Sequence, residues 1–491
     1  MSVNSRQNLA AETVQGTFWT YTATMGGKVL VFLTTIILAR LLTKDDYGVV
    51  SYALVTISFL DVLSDMGIGP AVVFHRSEDR APSTAFWLGL VFSLILFGLT
   101  WLTAPLVGIY FKDPRAVPVI RVMALTFPLS SLSNIHDNLL RKELKFKNRF
   151  VPDLARSVSK GFFSILFALL GFGAWSLIYG QLAGIATTVI AYWKVLPWRP
   201  AFQFSVSIAR SLLSYGVQIV SVDVLAIFLL NVDYLFVGRF MGPEALGVYS
   251  LAFRIPDLLI TQFCTVIGMV IFPVYVKLKN EPRQLRKGFL RTLEYVSMIT
   301  IPMGVGFAMV AGPFVHAVLT DKWEEAIPVM QAIAVYATLF SLSYNAGSVY
   351  KAQGKPYILT RLSFVRLGLL LPALTLAVFK VGTLASVGWA HAGVALVAGG
   401  INLAVAARMT HSSLAQIANA LRPAVVGGTL MAATVWIVLH LGASLPALAL
   451  LAVSILAGAF VYGVALLIQQ YQLILEFGQT VHTVLVGGRQ S

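Results

Sequence analysis

Five basic residues of this chain stand inside apolar runs and not in the loops between them: Lys28, Arg156, Lys160, Arg254 and Arg366. A charge in hydrocarbon costs at least ~2.5–3.5 kcal/mol, so each must face a protein interior or a wet cavity. Arg156 and Lys160 are four apart and share a helix face, with Asp153 one turn below. At the helical rise, Lys160 lies about 16 Å from the loop residue Arg149. An arginine meets phosphate oxygens in bidentate fashion, and a lysine adds a point charge. Each position has a plainer reading. Arg156, Lys160 and Arg366 can snorkel to the membrane interface. Lys28, after Gly26-Gly27, can pair with an acid on a neighbouring helix. Arg254 can pair with Asp257 at a kink made by Pro256. If several of these cations face one cavity, the chemistry is that of a carrier for an anionic, phosphorylated cargo.

Acids share the apolar runs: Asp61, Asp65, Asp137, Asp223, Asp233 and Asp257. Two roles compete. They balance the cations when no cargo is bound, or one of them takes H⁺ or Na⁺ and couples transport to a gradient. Asp65 also begins Asp65-Met66-Gly67-Ile68-Gly69-Pro70, a run expected to interrupt a helix. The histidines lack metal-ligand spacing. There is no phosphate-binding Walker loop, no zinc-protease motif and no serine elbow with partners. No catalytic residue, metal or cofactor is therefore expected. The one cysteine, Cys264, reads as packing filler and excludes a disulfide within the chain.

The surrounding sequence must position these groups within a bilayer. The chain has 491 residues, 57% hydrophobic and 12% charged, with a mean hydropathy of +0.80. Apolar stretches recur from about residue 17 to about 468, each near the ~20 residues a helix needs to span a membrane. The expected fold class is all-α, a polytopic membrane protein of about fourteen transmembrane helices. Two stretches between about 151 and 193 are separated only by Gly171-Phe172-Gly173. The polar N-terminus lacks the short apolar core of a cleaved signal peptide. The net charge of +15 does not point to nucleic acid, because the Lys and Arg residues gather in alternate loops. Arg141, Lys142, Lys145, Lys147 and Arg149 share one side with Lys277–Arg291 and with Lys351, Lys355 and Arg361. Positive loops stay in the cytoplasm, so both termini are expected there. Tryptophans near the ends of the spans, among them Trp87, Trp193, Trp198 and Trp323, read as interfacial anchors.

The chain repeats itself. Arg40, Gly48, Val49, Ser51 and Ala53 match Arg239, Gly247, Val248, Ser250 and Ala252 at an offset of 199, with Asp45 facing Glu244. Further on the offset is 210: Lys112, Ala116, Pro118, Val119, Ala124, Ser131 and Ser133 match Lys322, Ala326, Pro328, Val329, Ala334, Ser341 and Ser343. Arg141 then meets Lys351, Lys145 meets Lys355, and Arg156 meets Arg366. Six spans per repeat preserve orientation, so two parallel six-helix lobes around a central cavity are expected, with alternating access by rocking. The expected division is an N-terminal lobe at 1–195, a cytoplasmic linker at 196–210 and a second lobe at 211–410. Residues 411–491 then hold two further helices and a cytoplasmic tail.

Four stretches carry a resemblance: Ala39-Arg40-Leu41-Leu42-Thr43-Lys44-Asp45-Asp46-Tyr47-Gly48, Asp65-Met66-Gly67-Ile68-Gly69, Leu140-Arg141-Lys142-Glu143-Leu144-Lys145-Phe146-Lys147 and Asn231-Val232-Asp233-Tyr234-Leu235-Phe236-Val237-Gly238-Arg239. In order and spacing, from about residue 10 to 410, they resemble the bacterial polysaccharide transporters. These are Wzx-like flippases of the multidrug/oligosaccharidyl-lipid/polysaccharide exporter superfamily. The resemblance implies an undecaprenyl-pyrophosphate-linked oligosaccharide moved across the cytoplasmic membrane for exopolysaccharide, O-antigen or capsule export. Membrane lipids, H⁺ or Na⁺, and the polysaccharide polymerase and export machinery are the implied partners. It carries over a cationic site in character, not residue by residue. The alternatives are an ion-coupled multidrug antiporter, whose cationic drugs would suit an acidic cavity, and a peptidoglycan-precursor flippase. A membrane polymerase or glycosyltransferase fits less well, because the outer loops are short. A channel would not explain matched buried charges in two repeats. If the buried cations hold phosphate, Arg156→Ala and Arg366→Ala each lower transport at unchanged protein level and membrane insertion. Wild-type export in both variants would sink that assignment.

Overall fold

Lipid offers a backbone no hydrogen-bond partner, so each segment must satisfy its own. The structure, a computed structural model, describes residues 26–65, 80–143 and 146–487, and among these it contains helices and no strands. The first half begins with α1 (26–41), α2 (Lys44–Asp65) and α3 (Ala81–Phe111). Then come α4 (Ala116–Met123), α5 (Thr126–Lys142), α6 (Phe146–Leu169) and α7 (Ala174–Val195). The chain continues through α8 (Val206–Phe240), α9 (Gly242–Pro256), α10 (Gln262–Leu278) and α11 (Pro282–Phe314). It ends with α12 (Ala326–Tyr344), α13 (Ala346–Ala352), α14 (Tyr357–Leu376), α15 (Leu384–Thr410), α16 (Leu414–Leu441) and α17 (Ala447–Gly487). Eleven membrane-crossing helices are found among the described residues by length and composition. α6 is not one of them, because Arg149, Asp153, Arg156 and Lys160 are spread along it. Two compact units are present, Met1–Leu251 and Ala252–Ser491.

Short polar signals set the helix ends. Thr43 and Asp46 make a reciprocal cap at the start of α2: the Asp46 N–H donates to the Thr43 hydroxyl at 3.1 Å, and the Thr43 N–H donates to the Asp46 carboxylate at 2.9 Å. The other Asp46 oxygen accepts the Ala174 N–H at 2.8 Å and so caps α7 as well. The soft boundary after α6 becomes a sharp turn, with Gly171 at φ +82° and Gly173 at φ +52°. A β-carbon at Gly173 would lie 2.8 Å from Asp46 Oδ1, so glycine is needed there on both grounds. Past Pro256, the helix widens into one π turn at Asp257–Thr261. There the Gln262 side chain donates to Asp257 at 3.2 Å. The bend expected at this proline is a widened turn.

The repeat is legible in the coordinates. α4 and α12 begin at Ala116 and Ala326, and α7 and α15 at Ala174 and Leu384, each pair 210 apart. The Ser131 hydroxyl bonds the Pro128 carbonyl and accepts from Ser93; its counterpart Ser341 bonds the Thr338 carbonyl and lies 2.8 Å from the Thr300 hydroxyl. The ends of α6 and α14 close alike, Phe172 N–H on Phe167 O and Gly382 N–H on Ala377 O. The two copies touch at a reciprocal contact. A β-carbon at Gly48 would lie 1.9 Å from the Pro243 carbonyl oxygen, and one at Gly247 would lie 1.8 Å from the Lys44 carbonyl oxygen. Both glycines and both carbonyls are related by the offset of 199.

The linker is a packed strap. The Ala201 and Ser205 N–H groups donate to the hydroxyls of Ser83 and Thr84, and the Trp87 indole donates to the Ala201 carbonyl at 2.9 Å. Trp193 donates to Leu132 O and stacks on His136, which also meets Trp198 edge-on. These tryptophans thus hold the strap. Trp323 is fully buried in a helix joint, not an interfacial anchor.

At the opposite loops, Arg115 forms ion pairs with Asp45 and Asp113. Burial raises the cost of the Asp113 charge, but hydrogen bonds from the Arg115 guanidinium and backbone N–H outweigh it and hold the carboxyl below its ordinary value. A depressed carboxyl stabilises the fold above its unfolded value, and that stability is lost as pH falls through the folded value. The thermal midpoint of the solubilised protein should therefore fall below about pH 4, and Asp113→Asn should flatten that part of the profile while lowering the midpoint at neutral pH. A methyl at the repeat contact meets backbone that has no rotamer to change. Gly48→Ala and Gly247→Ala should each cost at least ~1–3 kcal/mol, read as a lower thermal midpoint and a broadened size-exclusion peak. Gly89→Ala, where the added carbon meets open space, should change neither.

Candidate functional site

Arg366, one of the five cations expected within the membrane, opens onto a cavity. A space of about 560 Å³ lies within the second unit, walled by α10, α12, α13, α14 and α15. That volume is in the ordinary range for a small-molecule or headgroup site. Arg366 lines it from α14 and Lys351 from the last turn of α13. Small residues make the room: Gly268, Gly347, Ala395, Ala398 and Gly399. Hydroxyls and an amide supply polarity at Thr265, Ser343, Tyr344, Ser348, Ser363 and Asn402. Arg366 sits nine residues into α14, about 14 Å along the helix from Tyr357. The cavity therefore runs inward from the loop end carrying Lys351 and Lys355.

Aromatic rings hold the Arg366 guanidinium. Its Nη2 donates to the Tyr336 hydroxyl at 2.9 Å, and its carbon lies 5.1 Å from the centre of the Phe340 ring. A ring face attracts a cation and needs no carboxylate to do so. Among the described residues, neither Arg366 nor Lys351 has a carboxylate within ion-pair distance. Asn402 is held by its neighbours: it accepts from the Tyr350 hydroxyl at 2.6 Å and donates to the Ser343 carbonyl at 3.1 Å. Such a site offers two cations and several donors to an anion.

The other expected residues are distributed as follows. Arg156 is exposed on α6, within electrostatic reach of Asp61 and Asp153. Lys160 is partly buried and engaged with neighbouring groups. Gly180 and Gly184 of α7 pack against the α6 backbone at Lys160 and Arg156, so this stretch of α6 is rigidly backed. Lys28 on α1 is also partly buried and engaged, and the adjacent Gly27 meets Ser157 of α6. Arg254 is partly buried beside the π turn, with no carboxylate partner among the described residues.

Asp61 is exposed and accepts from Ser64. Asp233 is fully buried and accepts from the Tyr249 hydroxyl. Asp257 accepts from the Gln262 side chain across the widened turn. The side chains of Asp65 and Asp223 lie outside the described residues. Asp137, the remaining acid, belongs to a closed cluster: it pairs with Arg141 and Arg149 and accepts from the Tyr192 hydroxyl at 2.8 Å. Sequence reasoning missed Lys351, which reads as one loop cation among many. Its offset relation to Arg141 was the available signal.

A family model described as "Polysaccharide biosynthesis protein" matches residues 37–328. The chain is 26% identical to the teichuronic acid biosynthesis protein TuaB of Bacillus subtilis (strain 168), over 79% of this chain and 81% of that one. It is 25% identical to the lipopolysaccharide biosynthesis protein WzxC of Escherichia coli (strain K12), over 75% and 76% of the two chains. Among solved structures, the lipid II flippase MurJ in an inward closed conformation superposes with a TM-score of 0.74 at 15% identity, covering 93% of this chain and 99% of that one. At that identity the match speaks to the fold alone. This chain is a multi-pass helical membrane protein that belongs to the polysaccharide biosynthesis protein family.

Proposed function

We propose that this protein is a flippase. It moves undecaprenyl-pyrophosphate-linked oligosaccharide units from the inner to the outer leaflet of the bacterial cytoplasmic membrane, for exopolysaccharide, O-antigen or capsule export. The observation that carries the reading is the cavity holding Arg366 and Lys351 without a carboxylate, in a chain of this family. Lipid-linked glycans carry phosphate at the junction of lipid and sugar, and a cationic recess in a helical membrane protein suits that junction. The names of TuaB and WzxC point to surface polysaccharides, which supports a glycan cargo.

In this reading Lys28, Arg156, Lys160, Arg254 and Arg366 neutralise the pyrophosphate during passage. Asp61, Asp65, Asp223, Asp233 and Asp257 balance charge or carry H⁺ or Na⁺. Lobes at 1–195 and 211–410, joined by the strap, alternate access, and both termini stay in the cytoplasm. The final helices add lipid-facing surface, and the polymerase and export machinery receive the product. A cationic drug would be repelled by this lining, which sets the antiporter reading second.

Deletion of the gene tests the proposal. Lipid-linked oligosaccharide and surface polysaccharide are measured together in the deletion strain. Intact lipid-linked units should accumulate on the cytoplasmic leaflet while surface polymer disappears, and the accumulated glycan identifies the cargo. Normal surface polymer with altered drug sensitivity overturns the flippase reading.

A further inference from the structure

In the first repeat, Asp137 clamps Arg141 and Arg149, and Tyr192 donates to the same carboxylate. At the offset of 210, these four positions become Gly347, Lys351, Leu359 and Asn402, and all four line the cavity. A second acid, Asp153, becomes Ser363, which lines it too. Arg156 stays a cation as Arg366. The second repeat has thus lost both carboxylates and kept two cations. Where the carboxylate stood there is now a glycine, and where Tyr192 reached in there is a shorter amide.

We infer that the space around Lys351 and Arg366 is a phosphate-binding site made by removing the acids from a salt-bridge cluster, and that the first repeat has no equivalent site. The inference rests on the transport reading only in naming the cargo. It narrows that reading, because it assigns the phosphate to Lys351 and Arg366 and excludes Arg141. An incoming phosphate takes the electrostatic place that Asp137 holds in the first repeat. Lys351 meets it at the cytoplasmic mouth as a point charge, and Arg366 meets it deeper with a planar fork that Tyr336 and Phe340 hold in place. Asn402, Ser343 and Ser363 line the same cavity. The ligand class is a phosphate ester, whose source is either the pyrophosphate of a polyprenyl-linked cargo or the headgroup of an anionic phospholipid.

The test uses full-length purified protein in nanodiscs of zwitterionic lipid. Farnesyl pyrophosphate and inorganic pyrophosphate are titrated by thermophoresis. Wild type should bind both, and Lys351→Gln and Arg366→Gln should each weaken binding at least ~10-fold, the loss expected for one charge-assisted contact. Arg141→Gln should leave the affinity unchanged, since Asp137 retains Arg149 and Tyr192. The double variant Gly347→Asp with Leu359→Arg rebuilds the closed cluster and should abolish binding. A monodisperse size-exclusion profile confirms folding of each variant. Equal affinity in wild type, Lys351→Gln and Arg366→Gln overturns the site, as does an equal loss in Arg141→Gln.

Repeating the titration with phosphatidylglycerol in the nanodisc separates the sources. Competition that farnesyl pyrophosphate wins assigns the site to cargo, and phosphatidylglycerol that it cannot displace assigns it to a resident lipid. The deletion strain keeps the two readings apart. Normal surface polymer alongside intact pyrophosphate binding removes the transport reading and leaves the site standing, whereas lost polymer with unchanged variant affinities does the reverse.

Discussion

Two carbonyls without room for a methyl group govern this fold. Gly48 lies against the Pro243 carbonyl and Gly247 against the Lys44 carbonyl. Because each copy supplies one glycine and one carbonyl, the contact is self-complementary, as in a symmetric dimer. Backbone against backbone cannot be relieved by a rotamer, so the register of α2 on α9 has one solution. The polar ties then follow around this pivot. Thr43 and Asp46 end the preceding loop, Asp46 reaches on to cap α7, and Asp45 pairs with Arg115. The conserved pattern at the offset of 199 is the chemical record of one constraint met twice.

Charge is treated differently in the two copies. The first repeat pairs its cations at Asp137 and excludes a ligand by being satisfied. The second repeat leaves Arg366 against aromatic faces. A cation there is favoured by the ring quadrupoles and still keeps free N–H groups. A buried charge with a carboxylate partner is a structural element, and one with an aromatic partner remains available. This difference, more than the number of cations, separates a cluster from a site.

Much of this was legible in the residues, for identifiable reasons. The spans follow from hydropathy, and the repeat follows from glycine, arginine and acid at fixed offsets, because backbone contacts tolerate no substitutes. Arg366 stood out because a charge in an apolar run is costly. Lys351 did not, because it ends a short helix among loop cations. The cavity was hidden for another reason: it is made of absences. Gly347, Ala395 and Gly399 look like any small residues in a membrane helix until their partners are known. Trp323 misled because an aromatic near the end of a span usually marks the interface, whereas here a tight joint swallows it. Asp137 and Arg141 are four apart on one helix, but the pairing of Asp137 with Arg149 and Tyr192 required a fold in which α5, α6 and α7 meet, which no spacing along the chain encodes.

The strap between Val195 and Val206 has a further consequence, in time. The earlier helices supply the groups that it grips: Ser83, Thr84 and Trp87 on α3, and His136 on α5. Chains fold from the N-terminus as they are made. The strap can therefore be fastened while the ribosome is still producing α8. The newest stretch of polypeptide is thereby parked against finished helices, and the translocon receives the next hydrophobic segment from a tethered starting point.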